Sequence, residues 1–157
     1  MDFALSKLVR KQNVFSTLDG EDRETVLREM VGRLSENGEV TAGDVEPIME
    51  GLMSRERLGT TGIGRGLAIP HVRYDELSEL LVAVGRSDKG IDFASVDGSP
   101  VEVVFLIISP ESRQDDYLAA LRWVSIAARD EYHNKLLHGA RSPDEFIELF
   151  QDIEESL

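Results

Sequence analysis

The sequence predicts an α/β sandwich built on a mixed sheet, and three observations carry that class. Segments with apolar residues at helical spacing fill the start and the end of the 157 residues. Short apolar runs rich in Val, Ile and Leu lie between them, bounded by Gly, Pro and Asp-Gly turn signals. Helices on both sides of a block of strands is the pattern of a layered α/β fold. The length suits one domain spanning 1–157 with a core of its own. No internal repeat, linker or low-complexity segment interrupts it.

In chain order, Leu5 to Phe15 reads as a turn of helix followed by an edge strand at Asn13-Val14-Phe15. Asp19 can cap a helix whose Leu27, Met30, Val31 and Leu34 form one buried stripe, and Asn37-Gly38 ends it. A second helix starts near Thr41 or Asp44, tolerates Pro47 in its first turn, buries Val45, Ile48, Met49 and Leu52, and runs to about Arg55. Leu67 to Pro70 is a short strand that proline closes. Leu80 to Val84 reads as a strand buried on both faces, and Gly90 to Phe93 as a separate shorter one. After the Asp97-Gly98 turn, Val101 to Ile108 should be the central strand, closed by Ser109-Pro110. A helix from Asp115 to about Arg129 buries Leu118, Leu121, Val124 and Ala128, and two shorter helices near Glu131 to His138 and Pro143 to Ile153 complete the chain.

Composition removes several classes of function. A formal net charge of −13 repels nucleic acid and anionic membranes and favours a partner with a basic face. With no cysteine there is no disulfide and no thiolate metal site, which suits a reducing compartment. The opening residues carry an early acid and no extended apolar core, unlike a secretory signal. The longest apolar run, Val103 to Ile108, is too short to cross a bilayer, so membrane insertion is not expected and the chain reads as cytoplasmic.

The chemistry centres on Gly59-Thr60-Thr61-Gly62-Ile63-Gly64-Arg65-Gly66-Leu67-Ala68-Ile69-Pro70-His71. Glycines at 62, 64 and 66 allow positive φ and unobstructed backbone N–H groups, which can hold an anion; Thr61, Gly62, Gly64 and Arg65 are thus a candidate phosphate-binding loop. His71, after a strand, has the pKa range for proton or phosphoryl exchange near neutral pH. To attack phosphorus it needs one unprotonated nitrogen, so a backbone carbonyl or carboxylate should hold the other as a donor. Two familiar glycine motifs are excluded. The run from Gly59 has Walker A spacing, but Arg65 stands where Lys is required and Gly66 where Ser or Thr must bind magnesium. In a dinucleotide fingerprint, Leu67 would occupy the third glycine.

The order Arg55-Glu56-Arg57-Leu58-Gly59, Thr61-Gly62-Ile63-Gly64, then Gly66-Leu67-Ala68-Ile69-Pro70-His71 resembles the signature of the fructose/mannitol-type enzyme IIA of the bacterial phosphotransferase system, with the stand-alone nitrogen-regulatory IIA proteins nearest in likeness. The closing Ser142-Pro143-Asp144-Glu145 helix start also fits. The resemblance implies a three-layer α/β/α sandwich with a mixed sheet of about five strands. It implies a phosphoryl carrier that accepts phosphate on His71 from a histidine-containing phosphocarrier protein, with Arg55 stabilising the phosphoryl charge and no nucleotide, metal or other cofactor. Arg55 has a second reading as a solvated helix C-terminal cation, and Arg57 reads as surface.

Two departures from the family pattern stand out. Arg65 occupies a place where some sugar-transporting members carry an acid, and it either strengthens anion binding or is solvated. Tyr117 occupies the place of a second histidine; it can donate a hydrogen bond to a phosphoryl oxygen but carries no positive charge at pH 7. With no IIB or IIC portion in the sequence, the resemblance points to a regulatory carrier whose partners are regulated target proteins or a IIB protein. The alternatives are an interaction module that no longer transfers phosphate and a detached IIA subunit of a sugar transporter. Asp115 and Asp116 read as ordinary helix N-terminal acids. His133 and His138 lack a metal-ligand pattern, and Trp123 reads as core.

Overall fold

A computed structural model describes residues 3–157. Its first helix, Leu5–Leu8 (α1), and a 3-10 turn at Lys11–Asn13 lead into the strand Val14–Phe15 (β1). Arg23–Glu36 (α2) and Val45–Leu58 (α3) follow, then Gly62–Gly64 (β2), Leu67–Ala68 (β3), His71–Arg73 (β4), Leu81–Ile91 (β5) and Val101–Ser109 (β6). Gln114–Arg129 (α4), Glu131–Gly139 (α5) and Pro143–Glu155 (α6) end the chain.

The six-stranded sheet runs β1-β5-β6-β3-β2, with β4 also on β6. As expected, β1 lies at an edge and β6 in the centre, antiparallel to β5 and parallel to β3 and β4. Side chains alternate across the sheet, so β6 sends Val103, Phe105 and Ile107 into one core and Val104, Leu106 and Ile108 into the other. The first core is closed by α1, α4, α5 and α6, where Trp123, Phe146 and Phe150 are fully buried. The second is closed by α2 and α3 through Leu27, Met30, Leu34, Ile48 and Leu52. The two cores make the α/β/α layering, with the sheet between.

Several expectations are corrected. The cap of α2 is Asp22, whose carboxylate accepts from Thr25 N at 2.8 Å, because the helix starts only at Arg23, beyond the reach of Asp19. Helix α3 continues three residues beyond Arg55 to Leu58. The separate strand at Gly90 to Phe93 does not exist; Gly90 and Ile91 belong to β5, which passes through a register shift after Arg86. In α4 the buried stripe is Tyr117, Ala120, Trp123, Val124, Ala127 and Ala128, and Leu118 is exposed. Two stripes one residue apart both satisfy helical spacing there, and the volume of Trp123 decides which turns inward.

The strand that Pro70 was expected to close does not end there. Leu67 pairs with Val103 and His71 with Ile107, both at an offset of 36 residues, so β3 and β4 form a single line along β6 with Ile69-Pro70 between them. Proline has no N–H to donate, yet its carbonyl still accepts from Ile107 N at 3.0 Å. His71 therefore stands within the sheet, on the α4 side, while Val72 faces α3. Helix α3 lies close over β4 because Gly51 has no side chain; a Cβ there would sit 2.6 Å from Val72 Cγ2. One helical turn later comes Arg55.

Candidate functional site

His71 is half-buried at the first position of β4. Its Nδ1 lies 2.7 Å from the carbonyl oxygen of Ile69, which can only accept, so Nδ1 carries the proton and Nε2 keeps its lone pair. Burial pushes the His71 pKa below the ordinary imidazole value and Arg55 pushes it further down, against the raising effects of the Ile69 carbonyl and Glu56. At neutral pH the ring is thus an uncharged base with a defined tautomer.

Tyr117, on the inner face of α4, meets the His71 ring edge-on with centroids 5.9 Å apart at 61°. Burial pushes its phenol up, while Arg73 and Arg55 pull the other way. The hydroxyl stays protonated near pH 7 and is a hydrogen-bond donor at the site. Arg55, in the last turn of α3, donates from Nη1 to Gly59 O at 2.8 Å. Both readings of this residue have a physical basis: it caps its own helix, and it is close enough to act electrostatically on His71 and Tyr117. Arg57 is exposed and bonds Ser54.

The glycine-rich stretch takes a different form from an anion-binding loop. It is a hairpin, with β2 antiparallel to β3 across Arg65-Gly66. Both turn residues have positive φ, 56° and 79°, as a two-residue type I′ turn requires. Several of its donors are already bonded within the protein. Thr61 N donates to Glu56 Oε1 at 3.1 Å, and the Thr61 hydroxyl to the other carboxylate oxygen. Gly62 N donates to Thr60 Oγ1 and Arg65 N to Asp97 Oδ2. An added Cβ at Gly64 would come 3.1 Å from Asp97. The Arg65 guanidinium reaches the Arg129 carbonyl at the end of α4, and His138 Nε2 lies 2.7 Å from Arg65 O. Arg65 is exposed, in keeping with the solvated reading, and its guanidinium is bonded to the end of α4 rather than to His71.

Two residues of this neighbourhood were missed by sequence reasoning. Glu56 is buried although acidic, bound to Thr61 and 3.4 Å from Arg23; its signal is an acid four positions after Leu52, on the apolar stripe of its helix. Arg73 shares the α4-facing side of β4 with His71, two residues on, and its guanidinium bonds Gln114 Oε1. Asp115 and Asp116 are exposed in the first turn of α4, Trp123 is core, and no group of three or more metal-ligating side chains converges among the described residues.

Comparison with known proteins gives the family and the fold. Residues 7–153 match the family described as phosphoenolpyruvate-dependent sugar phosphotransferase system, EIIA 2. The chain belongs to that family. A nitrogen regulatory protein of Bradyrhizobium diazoefficiens is 34% identical over 137 residues, 87% of this chain and 88% of the relative. The fructose-specific EIIABC component of Bacillus subtilis is 33% identical over 146 residues, 92% of this EIIA chain but 22% of that longer protein. The crystal structure of the nitrogen regulatory protein IIA-Ntr from Neisseria meningitidis superposes with a TM-score of 0.82 over 93% of this chain and 98% of its own; at 23% identity that likeness speaks to the fold. No helix among the described residues of this EIIA domain is long and apolar enough to cross a membrane.

Proposed function

We propose that this EIIA domain is a phosphoryl carrier that takes phosphate on His71 from a histidine-containing phosphocarrier protein and serves a regulatory, nitrogen-type phosphotransferase system in the cytoplasm. The observation that carries the reading is the Nδ1 contact with Ile69 O, which leaves Nε2 as the nucleophilic nitrogen of a half-buried, uncharged ring. In the transfer, Nε2 supplies the electron pair of the new N–P bond while the donor's N–P bond breaks and returns its pair to the donor nitrogen. The proton on Nδ1 stays where it is. Negative charge on the transferring group is met by the Arg55 guanidinium and by the Tyr117 hydroxyl as donor. The loop amides at Thr61, Gly62 and Arg65 have no part in this step, since each already has a partner.

The regulatory assignment draws support from the 34% identical nitrogen regulatory relative and from tyrosine at position 117. A second reading, delivery of phosphate to a sugar-specific IIB partner, draws support from the fructose-specific relative, in which an EIIA portion belongs to a longer EIIABC protein. Incubation with phosphoenolpyruvate, enzyme I and the phosphocarrier protein tests both. An acid-labile gain of one phosphoryl group, absent from His71→Ala, is the expected result. A native protein that gains nothing is a binding module instead, and rapid onward transfer to a cysteine-bearing IIB protein favours the transport reading.

A further inference from the structure

We propose that Arg73 is a second phosphoryl-binding cation of this site and that Gln114 is the residue that positions it, an inference that rests on the carrier reading above and adds a residue to it.

The ladder brings the reacting groups to one face. His71 and Arg73 pair with Ile107 and Ser109 on β6, so they are two positions apart on one strand and project from the same side, roughly 7 Å apart. Val72 between them packs into the opposite core, against α3. The face shared by His71 and Arg73 is covered by the start of α4, where Gln114 and Tyr117 are one helical turn apart. Tyr117 meets the His71 ring and Gln114 meets the Arg73 guanidinium. A strand pair and a helix pair thus face each other, nucleophile opposite phenol and cation opposite amide.

Charge gives the arrangement its purpose. A phosphoryl group brings about −1.5 to −2 charges to the site, and neither Tyr117 nor the amides of Thr61, Gly62 and Arg65, which already have partners, can neutralise it. Arg55 already gives a donor to Gly59 O. Elsewhere in this acidic chain, arginines such as Arg10, Arg23, Arg28 and Arg33 lie against carboxylates. The partner of Arg73 is a neutral amide, which orients the guanidinium and leaves its charge unspent. Arg73 is exposed, so holding a phosphoryl oxygen would need no prior desolvation of a buried cation. As the N–P bond forms at Nε2, Arg73 donates hydrogen bonds to the non-bridging oxygens and transfers no proton.

The test uses phosphocarrier protein charged with phosphoenolpyruvate and enzyme I, rapid-quench measurement of uptake, and 31P NMR of the purified phosphorylated domain with the donor removed. For Arg73→Gln, uptake should slow by about tenfold to a hundredfold, the isolated phosphohistidine resonance should shift, and Arg73→Lys should recover part of the rate. Gln114→Ala should slow uptake less and shift the resonance in the same direction. Native-like uptake in Arg73→Gln overturns the proposal. Slow uptake with an unmoved 31P resonance also overturns it, because Arg73 would then serve donor docking alone. A native protein left bare at His71 removes the carrier reading and this inference together.

Discussion

Because burial favours the uncharged ring, His71 remains a nucleophile at pH values where a free imidazole has begun to protonate. An NMR titration of its ring proton should therefore give a midpoint below about 6.5, the ordinary value. The sign for stability follows from the same shift. As pH falls, the unfolded chain binds the proton first, so the contribution of His71 to folding is complete above that ordinary value. It is lost as pH drops through that value toward the lower folded pKa. A folded-state midpoint at or above the ordinary value of about 6.5 refutes this account of the ring. The tautomer was foreseeable in kind, since a histidine that attacks phosphorus needs its second nitrogen held. Which carbonyl holds it was not, because Ile69 is only two residues away and its orientation depends on how the strand passes Pro70.

At the scale of elements, two glycines in helix interiors make opposite predictions. Gly32 in α2 has nothing within 4 Å of where a Cβ would sit, so Gly32→Ala should stabilise the protein by about 0.5–1 kcal/mol through helix propensity alone. Gly51 in α3 lies against Val72, so Gly51→Ala should destabilise by about 1–3 kcal/mol and slow phosphoryl uptake, since the helix that carries Arg55 would be pushed off β4. Urea unfolding of the two variants gives the comparison, and equal signs would refute it. Nothing in the sequence distinguishes these two glycines. The helices themselves were legible, because a stripe such as Leu27, Met30, Val31 and Leu34 has a single solution. Helix α4 was not, because Leu118 and Tyr117 begin two stripes of nearly equal quality. The α2 cap failed for a related reason, with Asp19 and Asp22 both able to cap and only tertiary contacts choosing. Arg55 and His71 were singled out from a contiguous motif; Arg73 became a candidate only once His71 proved to start a strand rather than follow one.

For the molecule as a whole, charge is divided unevenly. The chain carries a formal −13, yet the mouth of the site presents Arg55 and Arg73 beside a neutral ring. A donor protein with a basic face would be drawn in from a distance by the whole and would meet this cationic spot only at contact. Uptake from the phosphocarrier should slow as salt rises, since attraction beyond about 10 Å is largely screened at roughly 0.1 M. Stopped-flow rates independent of ionic strength would show that long-range attraction has no part in the encounter. The strand line that resumes in register after Pro70 has a different bearing. The ring's own strand is paired with the central strand both before and after the proline, which ties its position to the sheet. A phosphoryl group on His71 would then be expected to reach partners as a new patch of surface, since the strand beneath the ring is held in one register on β6.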